Sequence, residues 1–230
     1  MRRWRVPEQV RPRQSGVHLV LGSGRHGRHA RPLVEAWVAL ALTGGHVVHW
    51  LDGACRLDPG RLMDPLRRLG AGPRSLRALR VARGFTAHQF AAMAARLPQE
   101  VEESGAALVV FDAPATMLDD PEIGAREGRD LMRHLCSDMQ HLVDHTGIVA
   151  LVICGEGPEA NARWRLQRLR DVSASVLEVR HAPGEPAQLR KDGGAWWTLG
   201  MASSFRSDGN RQTTLTGWAP QGLKAPAEGP

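Results

Sequence analysis

LVLGSGRHGRHA, residues 19–30, is the stretch on which the fold turns. A short apolar run ends in glycines at 22, 24 and 27, and ARPLVEAWVALALTGG (30–45) follows. Strand, glycine loop and helix, in that order, are the setting of a phosphate-binding loop. Glycines let backbone N–H groups turn inward around an anion, and the helix that follows points its positive end at it. The spacing from Gly22 to Gly27 fits the G-x-x-x-x-G-K-[ST] loop, but the next two positions are Arg28 and His29. Arg28 keeps the charge of the expected lysine on a larger, planar, forked group. His29 offers a ring nitrogen where a hydroxyl would meet magnesium, a cation that takes oxygen ligands in a tight octahedron. On the motif alone, a plain Gly-rich turn between strand and helix is an equal reading.

The rest of the chain sets the context. With 230 residues, one domain with tails is expected. Its 42% hydrophobic and 23% charged residues are values of soluble globular proteins. No apolar run approaches the roughly 18 residues of a membrane span, so no membrane association is expected. The basic start MRRWRVPEQVRPRQSG has no apolar segment behind it and is not a secretory signal. Cys55, Cys136 and Cys154 are scattered and odd in number, and read as reduced core thiols. A cytoplasmic protein is expected, nucleoid-associated or nuclear according to its host. The net charge of +6 permits nucleic-acid binding. Charge alone is weak evidence: only Lys191 and Lys224 are lysine, and an arginine bias beside abundant Ala, Gly and Pro also fits a GC-rich genome.

Residues 1–15 read as a basic flexible arm, 16–200 as the core domain and 201–230 as a flexible tail. Strands are expected at Val17–Leu21, His46–Leu51, Leu79–Ala82, Ala106–Phe111 and Ile148–Cys154. Helices are expected at 30–43, 59–69, after a Thr86/Gln89 capping box, over 122–145 with Leu131, Leu135, Met139 and Leu142 inward, and at 158–169. Short strands at Ser175–Arg180, Gln188–Arg190 and Ala195–Leu199, joined by turns, suggest a hairpin or meander. Apolar strands alternating with helices imply a largely parallel α/β sheet with helices on both faces and a late antiparallel edge.

A second element supports a nucleotide core. ALVVFD (107–112) has the form of the acidic strand that holds a magnesium-bound water in phosphate-loop ATPases, and it follows the loop at a reasonable interval. Longer segments carry a resemblance. WLDGACRLDPGRL (50–62), RVARGFTAHQF (80–90), EIGAREGRDLMRHL (122–135) and VSASVLEVR (172–180) resemble, in order and spacing, segments of the RecA/RadA recombinase family, nearer its archaeal and eukaryotic branch. RVARGFTAHQF carries most of the signal, with Val81, Ala82, Arg83, Phe85, His88 and Gln89 in register. The resemblance covers roughly residues 16–200 and implies a RecA-like phosphate-loop ATPase core, with ATP and Mg2+ as cofactors. Gly22, Ser23, Gly24, Gly27, Arg28, His29 and Asp112 are then the candidate nucleotide-binding residues. Arg126 and Arg129, where the first DNA loop of the family lies, and Arg2, Arg3 and Arg5 in the arm are candidates for DNA.

The departures are systematic. Counting from Asp52, the family's catalytic Glu falls on Ala54, and alanine cannot orient or deprotonate a water. Ala113 stands where the family has Ser after its acidic strand. CGEG (154–157) replaces the Asn-Gln that senses the nucleotide. The family's N-terminal helical domain and Phe-x-x-Ala polymerisation segment have no counterpart in residues 1–15. The resemblance therefore implies a degenerate paralogue with hydrolysis lost. Such a protein acts as an accessory or mediator in recombination and repair, binding a recombinase-family or other repair partner and single-stranded DNA. Two alternatives stay open. One is a working DNA-dependent ATPase in which Arg28 replaces Lys and Asp52 or Asp58 replaces Glu. The other is a nucleotide or metabolite kinase on the same fold.

Other constellations are weaker. His141 and His145, near His134 and Cys136, have helical zinc spacing, but solvated helix histidines are far commoner and no metal site is assigned. His26 and His29 flank Arg28, able to stack on a base or phosphate or simply to be solvated. Of Trp196 and Trp197, one is expected to face the core and one a partner. Ser23 has no His/Asp pattern around it for a hydrolase.

Overall fold

The structure, a computed structural model, describes residues 3–4, 12, 14–23, 25–120, 122–155, 160–181, 187–198 and 201–202. In chain order its elements are β1 (Arg3–Trp4), β2 (Gly16–Gly22), α1 (Arg31–Thr43), β3 (Val48–Asp52), α2 (Pro59–Arg68), β4 (Leu79–Arg83) and α3 (Ala87–Ser104). There follow β5 (Leu108–Asp112), α4 (Ala125–Thr146), β6 (Val149–Gly155), α5 (Ala160–Asp171), β7 (Ser175–Arg180), β8 (Gln188–Lys191), β9 (Trp197–Thr198) and β10 (Met201–Ala202). Eight strands form one sheet in the order β4-β3-β5-β6-β2-β7-β8-β9. The strands from β4 to β7 run parallel, and β8 and β9 add an antiparallel edge. This is the expected α/β sheet with its late hairpin.

The central strands β2, β3, β5 and β6 are almost wholly buried along their lengths, as near-continuous apolar runs require when helices cover both faces. Alternate residues feed two cores. Val20, Trp50, Val110 and Leu151 pack with α1 and α2 on one face. Leu19, Leu51, Phe111 and Val152 pack with α3, α4 and α5 on the other. Helix α3 is capped by Thr86, whose hydroxyl accepts from Gln89 N at 3.2 Å. The Gln89 side chain reaches back one residue further than a capping box predicts, accepting from Phe85 N at 3.1 Å.

Several expectations shift. Helix α4 starts at Ala125, and Met132 and Cys136 are buried beside Leu135, Met139 and Leu142 while Leu131 is half-buried. Its buried face is wider because α4 packs on α3 as well as on the sheet. All three cysteines are free, but Cys55 is exposed in the loop after β3 rather than in the core. Burial pushes the other two thiols up, Cys136 to about 11 and Cys154 to about 12, so both stay protonated and inert. The strand expected at Leu79–Ala82, observed as β4, is an edge strand, its one sheet neighbour among the described residues being β3. The arm and tail lie mostly outside the described residues; within them Arg3–Trp4 pairs antiparallel with Met201–Ala202. Among the described residues no helix is long and apolar enough to cross a membrane.

Candidate functional site

In a parallel sheet the carboxyl ends of the strands meet at one edge, where α/β folds build their sites. Here β2 delivers the glycine loop to that edge. Asp52 of β3 and Asp112 of β5 stand side by side in register, and Asp112 is level with Ile153 of β6, which pairs with Val20 of β2.

The loop is built tightly around two of its glycines. A Cβ on Gly22 would lie 2.5 Å from Ala30 N and 2.6 Å from Gly27 O. Gly27 has φ +68°, and a Cβ there would lie 2.5 Å from Cys154 O. The backbone is also committed: Ser23 N donates to Val179 O, His29 N to Ser23 O and Ala30 N to Gly27 O. Gly24 lies outside the described residues.

The two residues that break the phosphate-loop pattern have settled with their neighbours. Arg28 is exposed, and its Nε donates to His29 Nε2 at 3.2 Å. That makes Nε2 the acceptor, so Nδ1 carries the hydrogen and donates to Ser23 Oγ at 2.8 Å. Burial lowers the His29 pKa, with Arg28 and His181 acting the same way, which keeps the ring neutral at pH 7. The His181 ring lies 5.3 Å from it, centroid to centroid. Across the loop His26, with φ +56°, places Nδ1 3.0 Å from Thr116 Oγ1.

Asp112 decides the chemistry. It is fully buried, and Arg31 in the first turn of α1 donates to both oxygens, Nε to Oδ2 at 2.8 Å and Nη2 to Oδ1 at 2.7 Å. Arg31 Nη2 also reaches His26 O at 3.3 Å, tying the pair to the loop. Burial pushes the Asp112 carboxyl up, and the Arg31 donors oppose the rise. One turn further along α1, buried Glu35 sits 3.4 Å from Arg61 Nε of α2; burial raises its pKa against the pull of Arg61 and Arg31.

The remaining carboxylates are engaged too. Asp52 is fully buried and accepts from Arg56 N and Leu57 N at 3.0 Å each and from Arg83 Nε at 3.2 Å, while Arg83 Nη2 donates to Leu57 O at 2.6 Å. It organises the turn after β3. Asp58 caps α2, accepting from Gly60 N at 2.9 Å. Half-buried Ala54 stands between them. Ala113 follows Asp112 with φ +55°.

These donors do not fit a magnesium-bound nucleotide held for hydrolysis. Both Asp112 oxygens serve a guanidinium, His29 offers no oxygen, Asp52 is buried and tied to the turn after β3, and Asp58 Oδ1 caps α2. The structure thus brings Gly22, Ser23, Gly27, Arg28, His29 and Asp112 to one edge, but Ser23, His29 and the Arg28 Nε bond among themselves and Asp112 is taken up by Arg31. Sequence reading missed Arg31, although its place just behind the loop is one from which a side chain reaches a neighbouring strand end.

The DNA candidates are dispersed. Arg126 and Arg129 are exposed in the first turns of α4, interleaved with Glu127, which pairs with His88 at 3.0 Å, and Asp130, which pairs with Arg133 at 2.8 Å. Arg2 and Arg5 lie outside the described residues, and Arg3 is described only as part of β1. The α4 histidines and Cys136 are not brought together: Cys136 is in the core, whereas His141 and His145 stack outside it and His145 pairs with Glu102 at 3.0 Å. Among the described residues no group of three ligands could hold a metal ion. Trp197 packs on the core, while Trp196 receives the guanidinium groups of Arg180 and Arg190 at 4.4 and 4.7 Å from its ring centre. No protein-family model matches the chain, and no curated protein is significantly similar to it.

Proposed function

We propose that this chain is a non-hydrolysing RecA/RadA-type core that acts by binding. In this reading it is an accessory protein of homologous recombination and DNA repair, engaging a recombinase-family or other repair partner and single-stranded DNA. The observation that carries the non-catalytic half is the bidentate Arg31–Asp112 pair at the end of the acidic strand. Hydrolysis in a phosphate-loop ATPase needs a carboxylate facing the metal and a base facing the water. Here the first is neutralised inside the protein and the second is Ala54, with Asp52 and Asp58 tied to a turn and a helix cap. The same commitments count against the relocated ATPase and against a kinase, which share the need for a metal-bound phosphate. The segment order quoted from the sequence supports the recombination half.

Turnover separates these readings. Purified protein with Mg2+ and ATP is expected to release phosphate at the buffer rate, unchanged by single-stranded DNA and by Asp112→Asn. DNA-stimulated turnover that Asp112→Asn abolishes would establish the working ATPase instead, and phosphate transfer to a small molecule without a DNA effect would establish the kinase.

A further inference from the structure

The chain's positive charge is not spread over it. Residues 53–86 hold eight of the 30 basic residues and two of the 24 acidic ones, residues 1–15 hold five and one, and the other residues hold 17 and 21. The excess of six in 53–86 stands beside an excess of four in the basic arm, against a remainder that is net acidic. All eight arginines are exposed, and they lie on the loop after β3, on α2, on the turn that follows it and on the edge strand β4. Three have acidic neighbours: Arg61 with Glu35, Arg67 with Asp64 and Arg83 with Asp52. The other five, Arg56, Arg68, Arg74, Arg77 and Arg80, have no carboxylate partner among the described residues. Among the described residues, the large apolar side chains that are exposed lie on the same stretch: Leu69, Val81 and, above all, Phe85 at 74%.

We infer that the arginine-rich sheet edge built from residues 56–85, rather than the start of α4, is the surface on which this protein binds the phosphate backbone of single-stranded nucleic acid. The inference rests on the binding role proposed above and names where that binding occurs. Unpaired guanidinium groups meet phosphates with forked donors, and an exposed ring beside them offers a stacking platform that suits any base. The open edge of β4 would also accept a strand from an acidic protein. Such a strand would run along Arg80 and Arg83 and leave the arginines of α2 and the following turn unused. Arg80, level with His49, lies on the α3 side of the sheet and the α2 arginines on the other, so a flexible polyanion that wraps the β4 edge can engage them all. At the start of α4, by contrast, Glu127 and Asp130 alternate with Arg126 and Arg129 and cancel the field.

The test is binding of a fluorescent 20-nucleotide oligo-dT, read by anisotropy over a series of salt concentrations. The variants are Arg68→Ala/Arg74→Ala/Arg77→Ala/Arg80→Ala, Arg126→Ala/Arg129→Ala and Phe85→Ala, each checked for an unchanged thermal melt. The quadruple variant is expected to lose at least about tenfold in affinity, and its slope of log K against log salt to be shallower by about 2–3, from about 0.7 per lost phosphate contact. Phe85→Ala is expected to weaken binding with the slope unchanged, and the α4 pair to change it less than about twofold by the same rule. Undiminished binding by the quadruple variant, with loss in the α4 pair, would overturn the inference while leaving the binding role intact. No oligo-dT binding by the wild type at low salt would overturn both. Tighter binding of a poly-glutamate peptide than of oligo-dT would assign the edge to an acidic protein instead.

Discussion

Arg31→Ala is expected to destabilise the protein by about 3–5 kcal/mol, because it leaves a fully buried carboxylate without its partner. Arg31 and Asp112 have side chains 5% and 0% exposed, so neither can turn to water when the other is removed. The indole N–H of Trp50, buried without a hydrogen-bond partner, favours ionised Asp112 only weakly and cannot replace two guanidinium donors. Asp112→Asn should be costly for the converse reason. The double change Arg31→Met/Asp112→Leu, which replaces the pair by apolar groups, should recover most of the loss, since apolar replacements of buried ion pairs are often neutral. Urea denaturation of the four proteins checks this. A loss below about 1 kcal/mol for Arg31→Ala, the range of exposed pairs, would mean that the two groups are solvated.

The second large effect is expected at Gly27. Alanine there meets two penalties. The left-handed backbone at φ +68° costs a side-chain-bearing residue about 1–2 kcal/mol. The new Cβ, 2.5 Å from Cys154 O, must push the end of β6 away from the loop, and overpacking of this kind costs about 1–3 kcal/mol. Gly45→Ala supplies the comparison. Its φ is +78°, but nothing lies within 4 Å of the added Cβ, so only the backbone penalty applies. The thermal melt of Gly27→Ala is expected to fall well below that of Gly45→Ala. Equal losses would show that the loop does not press on β6. The spacing of Gly22 and Gly27 thus has a structural cause of its own, close packing of loop, helix and strand end.

The sheet was legible because its strands are apolar runs such as ALVVF (107–111) and IVALVIC (148–154), bounded by glycines and acids. The loop was legible through its glycines, and the loss of a catalytic carboxylate through Ala54. What the sequence did not reveal is who holds the remaining acids. Asp112 reads as a free ligand at the end of a strand, and its partner Arg31 is 81 positions away in the chain. Such a pair is created by the crossover that brings α1 over the sheet edge. Arg83 has the same history: its place in RVARGF is plain, but its grip on Asp52 comes from the parallel register of β3 and β4. Cys55 was misplaced because a cysteine next to an apolar strand reads as core, whereas the turn at φ +51° carries it outward. The clustering of arginines over 56–83 is visible in the sequence, but that all of them are exposed is a property of the edge position of β4 and of the outer face of α2.

The central claim is that Arg31, and not a metal, holds Asp112. Arginine side-chain NMR reads it directly. The Arg31 Nε–H, assigned by through-bond correlation along its side chain to the Arg31 backbone, is expected as a slowly exchanging resonance that moves in Asp112→Asn. It should stay in place when Mg2+ and ATP are added, and should escape selective broadening when Mn2+ replaces Mg2+. A resonance that Mg2+ and ATP displace, and that Mn2+ erases, would put the metal on Asp112 and contradict the account.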